Sequence, residues 1–207
     1  MHVVEFRYDF YRPRTGFSQR RGVLKHMEPE KQERERICAD LFRVVRPSMA
    51  PDVRIDDETK NLLIRFIDGE CFRATRGRGV YTKAQRFDLG FICAVDLMIN
   101  TDDRHGGNMM VLPRHIIPID HEHTLGGPPR ARGVMAWAAG GLNYRQRHRM
   151  YASAAFRRGF ETALCRIDKH AKHIARLLNR NGHWRINATG IRSWVAQERK
   201  VAYKRTI

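Results

Sequence analysis

The stretch Asn100-Thr101-Asp102-Asp103-Arg104-His105-Gly106-Gly107-Asn108, followed further on by Ile119-Asp120-His121, decides how this chain is read. It packs carboxylates and an amide into two short turns. The preceding residues, Lys83 to Ile99, place Phe87, Phe91, Val95 and Met98 on one stripe, which predicts a core-facing helix. The loop therefore rises from the end of an apolar helix. A short strand from Met109 to Leu112, a turn at Pro113-Arg114-His115 and a second apolar strand from Ile116 to Ile119 then deliver Asp120.

Upstream, Val3 to Tyr11 alternates as a strand does. Arg12 to Gln19 reads as a turn, and Gly22-Val23-Leu24-Lys25 as a second short strand, so the two can form a hairpin. Pro29 suits the first position of a helix, and Glu33 to Val45 carries Ile37, Leu41 and Val44 at helical spacing before Pro47 and Pro51 end it. Val53 to Ile55 and Asn61 to Ile67 read as strands around the polar turn Asp56 to Lys60, and Asp68-Gly69 breaks the pattern. Downstream, Gly126-Gly127-Pro128-Pro129 is a breaker, and the chain stays Gly- and Ala-rich up to Gly141. Tyr144 to Asn179 holds enough apolar positions for one or two helices, closed by Asn181-Gly182. A last helix runs from about Gly190 to Tyr203, with Ile191, Trp194 and Val195. The expected fold class is α+β: a strand-rich part over residues 1–70 and a mostly helical part over 71–207.

The residue types of the central stretch suit phosphoryl transfer. That chemistry needs a carboxylate near the attacking hydroxyl, and an Asn and an Asp to hold Mg²⁺ against ATP phosphates. In protein kinases the Asn follows the catalytic Asp by five residues, the same step that separates Asp103 from Asn108. Such a site also asks for a strand Lys on the phosphates and a helix Glu to hold that Lys. Lys25 ends a predicted strand, and the next helix offers Glu30, Glu33 and Glu35. Glu35 is the choice, because its side chain can face the same interior as the apolar stripe. A different chemistry would use His105, His115, His121 and His123 with Asp103 or Asp120 as a metallohydrolase site. No H-E-x-x-H or H-x-x-E-H pattern accompanies those histidines.

These motifs resemble those of the HipA-like toxin kinases, and are similar to those of the phosphoinositide kinases and the actin-fragmin kinase group. Those families carry an Asp-Arg-His-x-x-Asn loop followed by an Ile-Asp motif. The resemblance spans roughly residues 22–125. It implies a minimal bilobed protein-kinase-like fold, with a small strand-rich N-lobe and a mostly helical C-lobe, that transfers the γ-phosphoryl group of ATP with Mg²⁺. The acceptor it implies is a protein Ser/Thr hydroxyl, with an inositol lipid or another small molecule as the alternative. It implies Asp103 as the catalytic carboxylate, with Asp102 able to substitute for it, and Asn108 and Asp120 as the Mg²⁺ ligands. Lys25 would bind ATP phosphate with Glu35 as its ion partner. Arg104 and His105 would brace the loop, His105 also reaching phosphate. Phe66-Ile67-Asp68-Gly69 would be the hinge against which adenine packs. Two features depart from the pattern: Glu122 stands where a Gly is usual, and no Gly-rich phosphate loop is present, Gly16 and Ser18 offering the only cover. A kinase fold without activity, working through a basic surface, is the reading from a different class.

Composition narrows the setting. Apolar residues make up 42% of the 207, enough for a core. No apolar run is long enough for a transmembrane helix, and the N-terminal residues lack a signal-peptide pattern. The cysteines Cys38, Cys71, Cys93 and Cys165 are far apart, and three lie inside apolar periodic segments, which reads as reduced core thiols in a cytosolic protein. A cytoplasmic location follows, or a host cytosol if the chain is a delivered effector. The net charge of +17 is uneven: residues 128–207 hold 18 Lys and Arg against 3 acids. That part invites an acidic partner, such as nucleic acid or anionic lipid. The sequence leaves the oligomeric state open.

Overall fold

The computed structural model describes residues 3–12, 16–56, 58–65, 67–75, 81–101, 103–125, 127–137, 144–180 and 184–203. Side chains of residues 3–12, 16–22, 73, 75, 135, 144 and 145 are not described. Asp102, Phe66, Gly126, Asn181-Gly182 and the Gly-Ala stretch 138–143 lie outside the described residues.

The chain is mixed α+β with two small antiparallel sheets. Strand β1 (Val3–Arg12) pairs along its whole length with β2 (Gly16–Lys25). Strands β3 (Val53–Ile55) and β4 (Leu62–Arg65) complete the first sheet in the order β1-β2-β4-β3. Only Gly22 to Lys25 of β2 pairs with β4. The turn expected over Arg12 to Gln19 is narrower than its composition suggests, because Arg12 already pairs with Gly16.

Helix α1 (Pro29–Val45) follows β2 and begins with proline in its first turn, where no amide hydrogen is needed. Its exposed side carries a ladder of ion pairs, Arg34 with Glu30, Arg36 with Glu33 and Arg43 with Asp40. Each such pair adds only a few tenths of a kcal/mol. The buried side divides between two neighbours. Ala39 packs with Val53 and Leu62 against the first sheet, whereas Ile37, Cys38, Leu41, Phe42 and Val45 join the main helical core.

The second sheet joins β5 (Glu70–Cys71), β6 (Met109–Val111) and β7 (Ile116–Pro118) in that order. The strand β5 and the single turn α2 (Phe72–Thr75) behind it are too short to leave a periodic signature. Helix α3 (Lys83–Met98) opens with a capping box, in which Thr82 accepts from the Gln85 amide and Gln85 accepts from the Thr82 amide. It is buried along most of its length and crosses α5 (Ala154–Lys169) closely. A methyl group at Gly90 would lie 2.0 Å from the Phe156 carbonyl oxygen, and one at Gly159 would lie 1.9 Å from that of Phe87. The two glycines let the backbones touch.

The segment expected to hold one or two helices contains three: α4 (Tyr144–Ala152), α5 and α6 (Ala171–Asn179), interrupted at Ser153 and His170. The final helix α7 (Ala188–Val201) starts two residues earlier than expected, because the Asn187 side chain accepts from the Gly190 amide and caps it. Among the described residues, no helix is long and apolar enough to cross a membrane. All four cysteines are free, but only Cys38 and Cys93 are buried. Cys71 is half-buried and Cys165 is exposed on the outer side of α5, so the expectation of core thiols is corrected for these two.

Candidate active site

Three segments converge where the two sheets meet. Strand β2 ends at Lys25, α1 supplies Glu35, and the chain leaving β7 supplies Asp120. The Lys25 ammonium donates to Asp120 Oδ1 at 2.9 Å and lies 3.6 Å from Glu35 Oε1. Glu35 is one of three glutamates on its helix; it is the buried one, 1% exposed, while Glu30 is exposed and Glu33 half-buried. Its Oε1 also accepts the His121 backbone amide at 2.7 Å. Asp120 adopts φ of +59°, a left-handed conformation that Asp tolerates better than most residues.

Burial pulls the Lys25 ammonium down, but Glu35 and Asp120 together outweigh it and hold the group above its ordinary value. Burial also dominates at Glu35, pushing its carboxyl up to about 7 although Lys25 pulls the other way. The two directions disagree for a simple ion pair. The geometry resolves them: Asp120 is the closer counter-ion of Lys25, and Glu35 is the second.

The loop from Thr101 to Asn108 is held from beneath by Arg104, whose side chain is wholly buried. Its Nε and Nη2 donate to the two oxygens of Asp96 at 2.8 and 3.0 Å. Its Nη1 donates to the carbonyls of Asn108 and Ile119, both at 2.8 Å, and Nη2 reaches His121 Nδ1 at 2.9 Å. All five donors of the guanidinium fork are therefore used. Asp96 also accepts from Trp137 Nε1 at 2.8 Å. This buried network fixes the loop to the end of β7, and the Ile119 amide donates to the Asn108 carbonyl at 3.0 Å.

On that base Asn108 Nδ2 donates to the Asp103 carbonyl at 2.8 Å, which leaves the amide oxygen as its available ligand atom. The Asp103 side chain is 44% exposed and stands 3.8 Å from His105 Nε2. His105 Nδ1 accepts from the Gly107 amide at 2.9 Å, so the ring is oriented by its own loop. His121 is buried against Arg104, while His115 pairs with Asp88 at 3.2 Å and His123 lies 3.4 Å from Glu122. The four histidines thus point to separate partners. Among the described residues no group of three or more His, Cys, Asp or Glu gathers to hold a metal, which removes the support for a histidine-based metallohydrolase.

Beside Lys25 lies a cavity of about 160 Å³. Val23 and Ile64 line it from the first sheet, Met110 and Ile119 from the second hairpin, and Ile67 from the connection between them. Lys25, Asp120 and Arg65 form its polar wall. Of the expected hinge residues, Ile67 lines this space and Asp68 is exposed without lining it.

Two expected residues are not brought here. Gly16 and Ser18 lie toward the far end of β2, separated from Lys25 by continuous strand. At ~3.3 Å per residue that is roughly 30 and 23 Å of strand. The residues that reading the sequence missed are Asp96, Arg65 and Met110. Asp96 left one signal, a lone acid inside the apolar run Cys93 to Met98. Compared with protein-family models and with curated proteins, the sequence matches none of them.

Proposed function

We propose that this chain is a small bilobed kinase-like phosphotransferase that moves the γ-phosphoryl group of ATP to a hydroxyl. One observation carries the reading. A buried lysine held by a helix glutamate and by the aspartate after a hairpin stands at an apolar cavity between two sheets. The cavity is lined as an adenine base requires, by aliphatic side chains from both sheets with polar groups on one wall.

In this reading Lys25 binds ATP phosphate and Glu35 keeps its stem in place. Asp103, exposed at the loop, orients or deprotonates the acceptor hydroxyl. Asn108 and Asp120 offer an amide oxygen and a carboxylate. These are hard oxygen donors that suit Mg²⁺, an ion that takes few protein ligands and completes its shell with phosphate oxygens and water. Bound there, Mg²⁺ would neutralise phosphate charge. Arg104 and Asp96 contribute only through positioning, by keeping Asp103, Asn108 and Asp120 in register. The acceptor class rests on the likeness of the loop to that of the HipA-like kinases, which favours a protein Ser/Thr hydroxyl.

The test is incubation of the purified protein with Mg²⁺ and γ-labelled ATP, alone and with a cell lysate. Label should pass to protein with wild type and fall by at least about 10²-fold in Asp103→Ala and Asp120→Ala. Nucleotide binding should require Mg²⁺ and be lost in Asp120→Asn. Label in the lipid fraction would move the acceptor to an inositol lipid. Persistent transfer by Lys25→Ala and Asp103→Ala would refute the site. A folded wild type that binds no nucleotide would refute the function.

A further inference from the structure

We propose that the outer face of α6, with the end of α5 beside it, is a binding surface for the phosphodiester backbone of nucleic acid. The proposal is independent of the phosphotransfer reading and uses none of its residues.

Helix α6 is divided along its length. Ala171, Ile174, Ala175, Leu177 and Leu178 are buried, while Lys172, His173, Arg176 and Asn179 face solvent. Lys172, Arg176 and the following Arg180 recur every four residues, so they form one row about 12 Å long. Lys169, at the end of α5, extends it. None of these four cations has an ion partner among the described residues.

The shortage of acids in this part of the chain explains why. Its three carboxylates are all engaged elsewhere. Glu161 pairs with Arg199 at 3.4 Å and Asp168 with Arg192 at 3.7 Å. Glu198 accepts the Arg132 and Gly133 amides, both at 2.9 Å. Within residues 128–207 no further carboxylate is left to neutralise the α6 row. The cations of the row are ~6 Å apart, a spacing at which each can meet a separate phosphate of one strand.

Nucleic acid fits better than a membrane. The row holds no apolar side chain to insert, and the one exposed large hydrophobic residue among those described, Ile55, lies on β3. Arg and Lys on phosphates supply affinity without reading bases, so the binding should be indifferent to sequence.

The experiment measures binding of a fluorescent 20-base-pair DNA duplex as salt is raised, for three proteins. They are wild type, a variant with Lys172, Arg176 and Arg180 all changed to Gln, and a matched control with Lys83, Arg114 and Arg130 changed to Gln. The slope of log K against log salt should fall by about 2 to 3 in the α6 variant and by less than 1 in the control. Equal losses in both variants would overturn the proposal in favour of diffuse charge. Wild type that binds phosphatidylserine vesicles but not the duplex would overturn it in favour of a membrane. Absence of salt-dependent binding to either would overturn it outright. Should the α6 variant fold poorly, acetylation of wild type decides: the duplex should protect Lys169 and Lys172 and leave Lys83 reactive, and equal reactivity at all three would refute the surface.

Discussion

Arg104 shows how one side chain can organise a loop. Its charge is wholly buried and balanced by Asp96, and its remaining donors end on the carbonyls of Asn108 and Ile119 and on His121. A buried charge stripped of its partner is expensive. Arg104→Met would leave Asp96 uncompensated among apolar neighbours and should destabilise the fold by about 3–5 kcal/mol, read as a lowered urea midpoint. Arg104→Lys keeps the charge but offers three donors in place of five, so its midpoint should fall between those of Arg104→Met and wild type. Much of this neighbourhood was legible in the sequence. Asp103, Arg104, Asn108 and Asp120 stand out because several polar residues crowd into short turns between apolar elements. Asp96 was not legible, since a single acid on a helix looks like surface until the partner that buries it is known. Gly16 and Ser18 have residue types that suit a phosphate loop, and the pairing register sets them nine and seven residues before Lys25 on one strand, a separation that residue type alone does not reveal.

At the scale of elements, apolar periodicity located α1, α3 and the hairpin of β6 and β7 to within a few residues, while β2 begins six residues before its expected start and the two-residue β5 and the single turn α2 left no period to read. The closeness of α3 to α5 was also hidden, because it depends on two glycines far apart in the chain. Gly90→Ala would drive a methyl group into the Phe156 carbonyl, which is backbone and cannot swing aside. A cost of about 1–3 kcal/mol follows, or a fall of several degrees in melting temperature. Helix α7 is tied to the distant segment at Arg132 and Gly133 through Glu198, whose carboxyl is pushed above its ordinary value by burial against the opposing pull of those two amides. The folded protein therefore binds this proton more readily than the unfolded chain does. The resulting stabilisation is complete below the unfolded value of 4.5 and is lost as pH rises through the higher folded value. Urea midpoints at pH 5 and pH 7 should show wild type gaining on Glu198→Gln at the lower pH.

For the whole molecule the governing fact is uneven charge. The excess over residues 128–207 acts on itself, and self-repulsion weakens the compact state. Raising salt from 0.05 to 0.5 M shortens the screening length well below the size of the helical part. The melting temperature should therefore rise with sodium chloride, and a fall would show that attractive surface pairs dominate instead. The imbalance could be counted in the sequence; its concentration on one face of α6 could not, because that depends on which acids the fold diverts to other partners. The backbone contact at Gly90 and Gly159 has a consequence in time. Two helices that touch through their main chains have no side-chain layer in which partial separation can begin, so they open together or not at all. Amide protons such as those of Leu89 and Phe160, buried next to the two glycines, should exchange with deuterium more slowly than any in α4 or the first hairpin. Their common exchange rate should follow denaturant in the same way as global unfolding does.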